Sequence, residues 1–135
     1  NKNNINKSEQ VLKQNGAKKF VLLNVSAAFH SKYMLKSQEI LKNNLRDLNF
    51  NSNKIKIVSN YNAKSSNDNQ LIIEALSNQM ANKVRWVESI KEIENEGESK
   101  VIEIGPGKIL SGLIKRISNN FDIISINEVT DLKFI

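Results

Sequence analysis

Short apolar runs alternate along this chain with longer segments that have the period of an amphipathic helix. The apolar runs have the length of buried strands and cover residues 20–23, 55–58, 101–104 and 123–126. Helical periodicity lies between them, over residues 31–48, from residue 70, from residue 84 and over residues 108–118. Strands separated by helices of this length favour parallel pairing, so the pattern predicts an α/β fold with a mostly parallel sheet.

Glycine and polar residues mark the predicted ends of these elements. Gly16 is expected to end a helix over residues 8–15, and Gly97 to end the helix that starts near residue 84. The segment 60–69 is rich in Asn and Ser, whose side chains compete for backbone hydrogen bonds, and is predicted to be a loop. The clearest helix is 108–118, where five apolar residues form a continuous stripe: Ile109, Leu110, Leu113, Ile114 and Ile117.

Composition excludes several classes of function. With no cysteine and one histidine in 135 residues, the chain has no disulfides, no thiolate zinc site and no histidine-rich metal centre. Its net charge of +6 is spread out, which disfavours nucleic-acid binding. No apolar run is long enough to span a membrane, and residues 1–6 lack the apolar core of a signal peptide, so a cytoplasmic protein is expected. No cofactor is expected either.

His30 is the first candidate for chemistry. It lies between an extended run and the start of a predicted helix, where α/β proteins often place functional groups. Histidine changes charge near neutral pH and is therefore suited to act as a general base. A surface or capping role would explain the same position. No Gly-x-Ser-x-Gly turn, which would present a nucleophilic serine, occurs in the chain.

Three segments stand out in order along the chain: residues 26–34 (SAAFHSKYM), residues 78–86 (NQMANKVRW) and residues 101–110 (VIEIGPGKIL). Together they resemble the malonyl-CoA:acyl-carrier-protein transacylase family. By itself, the third segment indicates only a tight strand-to-helix turn at Gly105-Pro106-Gly107. The match extends from about residue 8 to residue 128, with Lys83 standing where the family usually has proline.

The resemblance implies roles for three residues. His30 would be the general base that takes the proton from a serine hydroxyl. The main-chain carbonyl of Gln79 would accept a hydrogen bond from the His30 ring and fix its tautomer. Phe29 would favour malonyl over methylmalonyl, because its ring fills the space of an α-methyl group. The residues alone also allow core packing for Phe29 and a solvent-facing helical position for Gln79.

Two basic doublets are candidates for binding the substrates implied by the resemblance, which are malonyl-CoA and an acyl carrier protein. Coenzyme A carries phosphates and carrier proteins are acidic, so cations near the pocket would attract both. The doublets are Lys18-Lys19 and Lys115-Arg116. Solvated surface is the alternative interpretation.

The resemblance also implies an architecture. Residues 1–26 would be the last helix and strand of a ferredoxin-like small subdomain. Residues 27–135 would be the carboxyl-terminal half of an α/β-hydrolase-like large subdomain. The nucleophilic serine and the arginine that binds malonate would lie outside this sequence, so the 135 residues are predicted to be inactive alone. Two alternatives stay open: a non-catalytic module that binds acidic carrier proteins, and the acyltransferase domain of a polyketide-type synthase.

Overall fold

The computed structural model describes residues 2–134, which contain five α-helices, four short strands and two 3-10 segments. In chain order these are α1 (Lys2–Gln14), a 3-10 turn (Lys32–Met34), α2 (Leu35–Arg46), β1 (Ile57–Val58), β2 (Ser65–Ser66), α3 (Asn69–Asn78), α4 (Trp86–Asn95), β3 (Lys100–Ile104), α5 (Ile109–Ile117), β4 (Asp122–Ile126) and a second 3-10 segment (Val129–Phe134). Over this part of the chain, no helix has both the length and the apolar character needed to cross a bilayer.

The β3–α5–β4 unit confirms the predicted α/β class. β3 and β4 pair in parallel, with Lys100 opposite Asp122 and Ile104 opposite Ile126, and α5 makes the crossover between them. β1 and β2 form a separate antiparallel pair, so the parallel sheet within residues 2–134 has two strands. The division of the chain at residue 26 into two subdomains stays a prediction.

Glu103 fixes the start of α5 from the neighbouring strand. Its carboxylate accepts hydrogen bonds from the backbone N–H of Leu110 at 3.0 Å and of Ser111 at 2.9 Å, and from the Ser111 hydroxyl. The hydroxyl and the backbone N–H of Ser111, followed by that of Leu110, hold the pKa of Glu103 below its usual value. The tight turn before α5 is closed by Gly107 N–H, which donates to Asn127 Oδ1 at 2.6 Å.

The prediction of a strand over residues 20–23 is wrong for this structure. The segment has no regular secondary structure and belongs to no ladder, and Leu23 is 71% exposed. A strand exists only with a hydrogen-bonded partner, and no other described segment pairs with residues 20–23. The preceding helix is longer than predicted, since α1 begins at Lys2 rather than at residue 8.

Buried apolar side chains are few. The buried hydrophobic residues among those described are Leu45, Ala63, Ile72, Ala75, Ile90, Ile114 and Ile126. The predicted apolar stripe of α5 is therefore only partly covered: Ile114 is 2% exposed, whereas Ile109 is 74% exposed. Helical periodicity identifies which side chains share a face, but the neighbours available in the structure decide whether that face is buried.

Candidate active site

The backbone at His30 is held in an unusual conformation. His30 has φ of 61°, the left-handed region that costs an L-residue about 1–2 kcal/mol. Its N–H donates to the carbonyl of Met80 at 2.8 Å. On its carboxyl-terminal side, Ser31 Oγ donates to Ala28 O at 2.6 Å and caps the 3-10 turn that leads into α2. These bonds hold the strained turn and leave the His30 side chain exposed.

The His30 ring is oriented by two main-chain carbonyls. Its Nδ1 lies 3.2 Å from Gln79 O and 2.9 Å from Asn82 O. A carbonyl oxygen only accepts hydrogen bonds, so Nδ1 must carry the proton and donate. In the neutral ring, Nε2 then holds the free lone pair that a general base requires. No hydrogen bond to Nε2 and no carboxylate bonded to the ring is found within residues 2–134.

The carbonyl groups come from the turn that follows α3, residues 79–82. α3 begins at the N-cap Asp68, whose side chain accepts from Leu71 N–H at 3.0 Å, and ends at Asn78, so that Gln79 is the first residue beyond it. The side chain of Asn82 donates back to Asn78 O at 2.7 Å. From α2, the side-chain oxygen of Gln38 accepts from Ala81 N–H at 2.9 Å. The turn is thus anchored to both helices.

The structure brings His30 and Gln79 together as the resemblance requires, although they are 49 residues apart in sequence. Phe29 is adjacent to His30 and 50% exposed, so it is not a core side chain among the described residues. The catalytic and specificity roles of these three residues stay predictions.

The basic doublets lie in separate elements. Lys18 and Lys19 follow α1 in an irregular segment, whereas Lys115 and Arg116 form the last turn of α5. All four are exposed. Their proximity to a substrate site therefore stays a prediction.

A cavity of about 350 Å³ lies beside the site, between α3 and the β1–β2 hairpin. Its wall is mostly apolar and includes Ile57, Leu71 and Ala75, with Gln79 at one edge. Asn60 contributes a buried side-chain oxygen that has no hydrogen-bond partner. Phe29 and His30 do not line this cavity. Gln79, whose carbonyl contacts the His30 ring, is the residue that connects the cavity with the histidine. Within residues 2–134, no three His, Cys, Asp or Glu side chains cluster as metal ligands would.

Sequence reasoning missed two residues of the site. Asn82 provides the shorter of the two carbonyl contacts to the ring, and no property of its side chain indicates this. Gln38 did leave a signal: it falls at steps of four from Met34 and three from Leu41, on the apolar face of the helix. A polar residue at an inward position is buried only with a hydrogen-bond partner, and Gln38 is 5% exposed.

Comparison with known proteins identifies the class. The chain is 36% identical over 121 residues, 90% of its length, to the malonyl CoA-acyl carrier protein transacylase of Bacillus subtilis (strain 168). Among solved structures, an acyl-carrier-protein S-malonyltransferase from Burkholderia pseudomallei 1710b superposes with a TM-score of 0.85 at 38% identity, covering 96% of the chain. A malonyl-transacylase in complex with a type II polyketide synthase acyl-carrier protein gives 0.85 at 31% identity, also over 96%. No protein-family profile matches.

These matches and the parallel β3–α5–β4 unit show that the chain has part of the acyltransferase fold. More narrowly, the chain is a homologue of the malonyl-CoA:acyl-carrier-protein transacylases, which confirms the resemblance seen in its three segments. It spans 38% of the length of the Bacillus subtilis relative and 42% of the Burkholderia pseudomallei structure. The homology therefore covers about two fifths of such a protein.

Proposed function

We propose that this chain supplies the histidine base of an enzyme that transfers malonyl from coenzyme A to the pantetheine thiol of an acyl carrier protein. The observation that supports this most directly is the His30 ring, whose Nδ1 donates to the carbonyls of Gln79 and Asn82. In the neutral ring, this arrangement leaves the lone pair of Nε2 free to accept a proton. The proposal places the reaction in fatty acid biosynthesis and the protein in the cytoplasm.

The proposed mechanism has two half-reactions. A serine hydroxyl outside this chain transfers its proton to His30 Nε2 as its oxygen attacks the malonyl thioester, and coenzyme A leaves as the thiol after accepting that proton. The pantetheine thiol then gives its proton to the same nitrogen while its sulfur attacks the malonyl-serine ester. The serine hydroxyl is regenerated, and His30 is neutral again after each half-reaction.

The experiment joins this chain to the amino-terminal portion of the Bacillus subtilis relative and measures transfer from malonyl-CoA to a carrier protein. We expect no transfer by the 135 residues alone and measurable transfer by the joined protein. Substituting His30→Ala in the joined protein should lower kcat/KM by about 10²–10⁴-fold, the usual contribution of a general base. Tyr33→Phe, an exposed position three residues away, is the control.

Two results would contradict the proposal. One is malonyl transfer by the 135-residue chain alone. The other is a joined His30→Ala protein that transfers malonyl as fast as its Tyr33→Phe counterpart.

Selectivity for malonyl is proposed for Phe29. Replacing its ring by a small side chain should admit the α-methyl of methylmalonyl-CoA, and a methyl group in such a pocket is worth about 10-fold or more in discrimination. We expect Phe29→Ser to shift the ratio of the two kcat/KM values toward methylmalonyl by about that factor, while Tyr33→Ser leaves it unchanged. An unchanged ratio for Phe29→Ser would exclude this role.

The basic doublets are proposed to bind the acidic carrier protein or the phosphates of coenzyme A. Reversing Lys18 and Lys19 to Glu, and separately Lys115 and Arg116, should raise KM for one of these substrates in the joined protein. Since exposed charges act through long-range attraction, the increase should shrink as salt is added. A KM that does not change for either pair would remove this part of the proposal.

Polyketide synthesis is a second candidate for the carrier protein. It is favoured by the 31% identity to the malonyl-transacylase that is complexed with a type II polyketide synthase carrier. Assaying the joined protein with carriers of both kinds separates the two, because the physiological one should give the higher kcat/KM.

A further inference from the structure

Gln38 is a buried amide in an otherwise apolar position of α2. The side chain is 5% exposed, and the helix face on which it lies also carries Leu45, which is 8% exposed. Its oxygen accepts a hydrogen bond from Ala81 N–H at 2.9 Å across 43 residues of sequence. A buried amide is tolerated when such a bond is formed, so Gln38 is specifically matched to the turn after α3.

That turn is the one that holds the candidate base. Over four consecutive residues, three carbonyls accept hydrogen bonds from His30: Met80 O from its backbone N–H, and Gln79 O and Asn82 O from its ring. Ala81 is the remaining member of this segment, and its N–H faces Gln38 instead. One side chain on α2 therefore sets the position of the peptide between the two carbonyls that orient the ring.

His30 and Gln38 are also linked along the chain. The 3-10 turn Lys32–Met34 continues directly into α2, and the two form one helical segment. His30 lies two residues before this segment, and Gln38 lies within it. The 79–82 turn is therefore contacted at two places, by His30 just before this segment and by Gln38 within it. The bonds from His30 hold residues 79, 80 and 82, and the bond to Gln38 adds a contact at Ala81.

We propose that Gln38 is a positioning residue: by fixing Ala81, it keeps the carbonyls of residues 79 and 82 directed at His30, so that Nδ1 stays protonated and Nε2 stays free. This role deepens the proposed function and depends on it for its catalytic meaning. Without the Gln38 oxygen, Ala81 N–H would need a new partner, and the turn would shift to provide one.

The test measures the tautomer of His30 directly. Since His30 is the only histidine, a long-range ¹H–¹⁵N correlation of the labelled 135-residue chain reports its ring nitrogens without assignment. The measurement is made at about pH 9, where an ordinary imidazole is neutral and its two tautomers give distinguishable spectra. Gln38→Leu removes the acceptor at nearly the same volume, and Gln38→Glu keeps an oxygen at the same chain length. Ser77→Ala is the matched control, because Ser77 is 3% exposed and its hydroxyl bonds within α3.

We expect the unmodified chain to be mainly the Nδ1–H tautomer. Losing one hydrogen bond should lower the ratio of Nδ1–H to Nε2–H by about three- to tenfold in Gln38→Leu. Gln38→Glu should have a ratio close to that of the unmodified chain, and Ser77→Ala should have the same ratio as the unmodified chain. Both variants should have a lower urea midpoint. A general packing defect would move the urea midpoint without moving the tautomer ratio.

A folded Gln38→Leu chain with the unmodified tautomer ratio would overturn the inference. If that variant does not fold, amide exchange in the unmodified chain decides instead: Ala81 N–H should exchange slowly, and exchange at the rate of an unstructured peptide overturns it. The proposed function is tested by a different measurement: it is wrong if the joined enzyme keeps its activity in His30→Ala. That result would not change the conclusion from the tautomer measurements.

Discussion

Because the backbone at His30 is left-handed, we expect glycine at this position to give a more stable protein than alanine, which reverses the usual order of stability. At most positions a glycine variant is less stable than an alanine variant, because glycine gives the unfolded chain more conformational freedom, which is lost on folding. At φ of 61°, however, alanine has the same steric conflict as histidine, and glycine has none. We therefore expect His30→Gly to be more stable than His30→Ala.

The magnitude follows from the two opposing terms. The left-handed conformation costs alanine about 1–2 kcal/mol, and glycine avoids this cost. The greater freedom of glycine in the unfolded chain offsets about 0.5–1 kcal/mol of the advantage. The glycine variant should thus unfold with a free energy about 0.5–1 kcal/mol higher than that of the alanine variant. The hydrogen-bonded ring contributes about 1 kcal/mol in the unmodified protein, so His30→Gly should be nearly as stable as the original.

Urea unfolding followed by the fluorescence of Trp86, the only tryptophan, measures these differences. The control pair is Glu39→Ala and Glu39→Gly at an exposed position inside α2, where alanine should be more stable by about 1 kcal/mol. If alanine is equal to or more stable than glycine at position 30 as well, the strained turn does not exist in solution.

Three further predictions concern the elements that support the site. Ile90→Ala removes three carbons from a side chain that is 2% exposed and should cost about 3–4 kcal/mol in urea unfolding, whereas Ile40→Ala, at 55% exposure, should cost about 1 or less. Equal losses would show that Ile90 is not buried. Because hydrogen bonds lower the pKa of Glu103, its stabilising effect is complete at neutral pH and is lost as the pH falls through that lowered pKa. The urea midpoint of Glu103→Gln should accordingly fall less between neutral and acidic pH than that of the unmodified chain, and an equal fall would contradict this. Asp68→Ala removes the N-cap of α3 and should lower the free energy of unfolding by about 1 kcal/mol, measured by circular dichroism in urea.

Local sequence patterns were sufficient to predict most elements. Periodicity located α3, α4 and α5 to within a few residues, and apolar runs located β3 and β4. These predictions succeeded because the spacing of apolar residues and the position of glycine act within one turn or one strand. The motif resemblance went further and brought together His30 and Gln79, which periodicity alone could not relate.

The pattern failed where a second part of the molecule was needed. Residues 20–23 have the composition of a strand but no paired neighbour, and Ile109 has the spacing of a core residue but is 74% exposed. Burial and pairing are properties of two surfaces, and a sequence pattern describes only one of them.

The amino-acid sequence by itself determined which residues were available for chemistry: one histidine, no cysteine and no serine in a nucleophile turn. It also determined where α3, α4, α5, β3 and β4 lie along the chain. Only the tertiary structure decided that the histidine would have a left-handed backbone, that Asn82 would share the ring with Gln79, and that Gln38 would hold the peptide between them. The spacing of Gln38 indicated that its side chain faces inward, but not which group it would bind. The other two features depend on main-chain groups brought together by packing, and a backbone carbonyl has the same chemistry in every residue, so no side-chain pattern could reveal them.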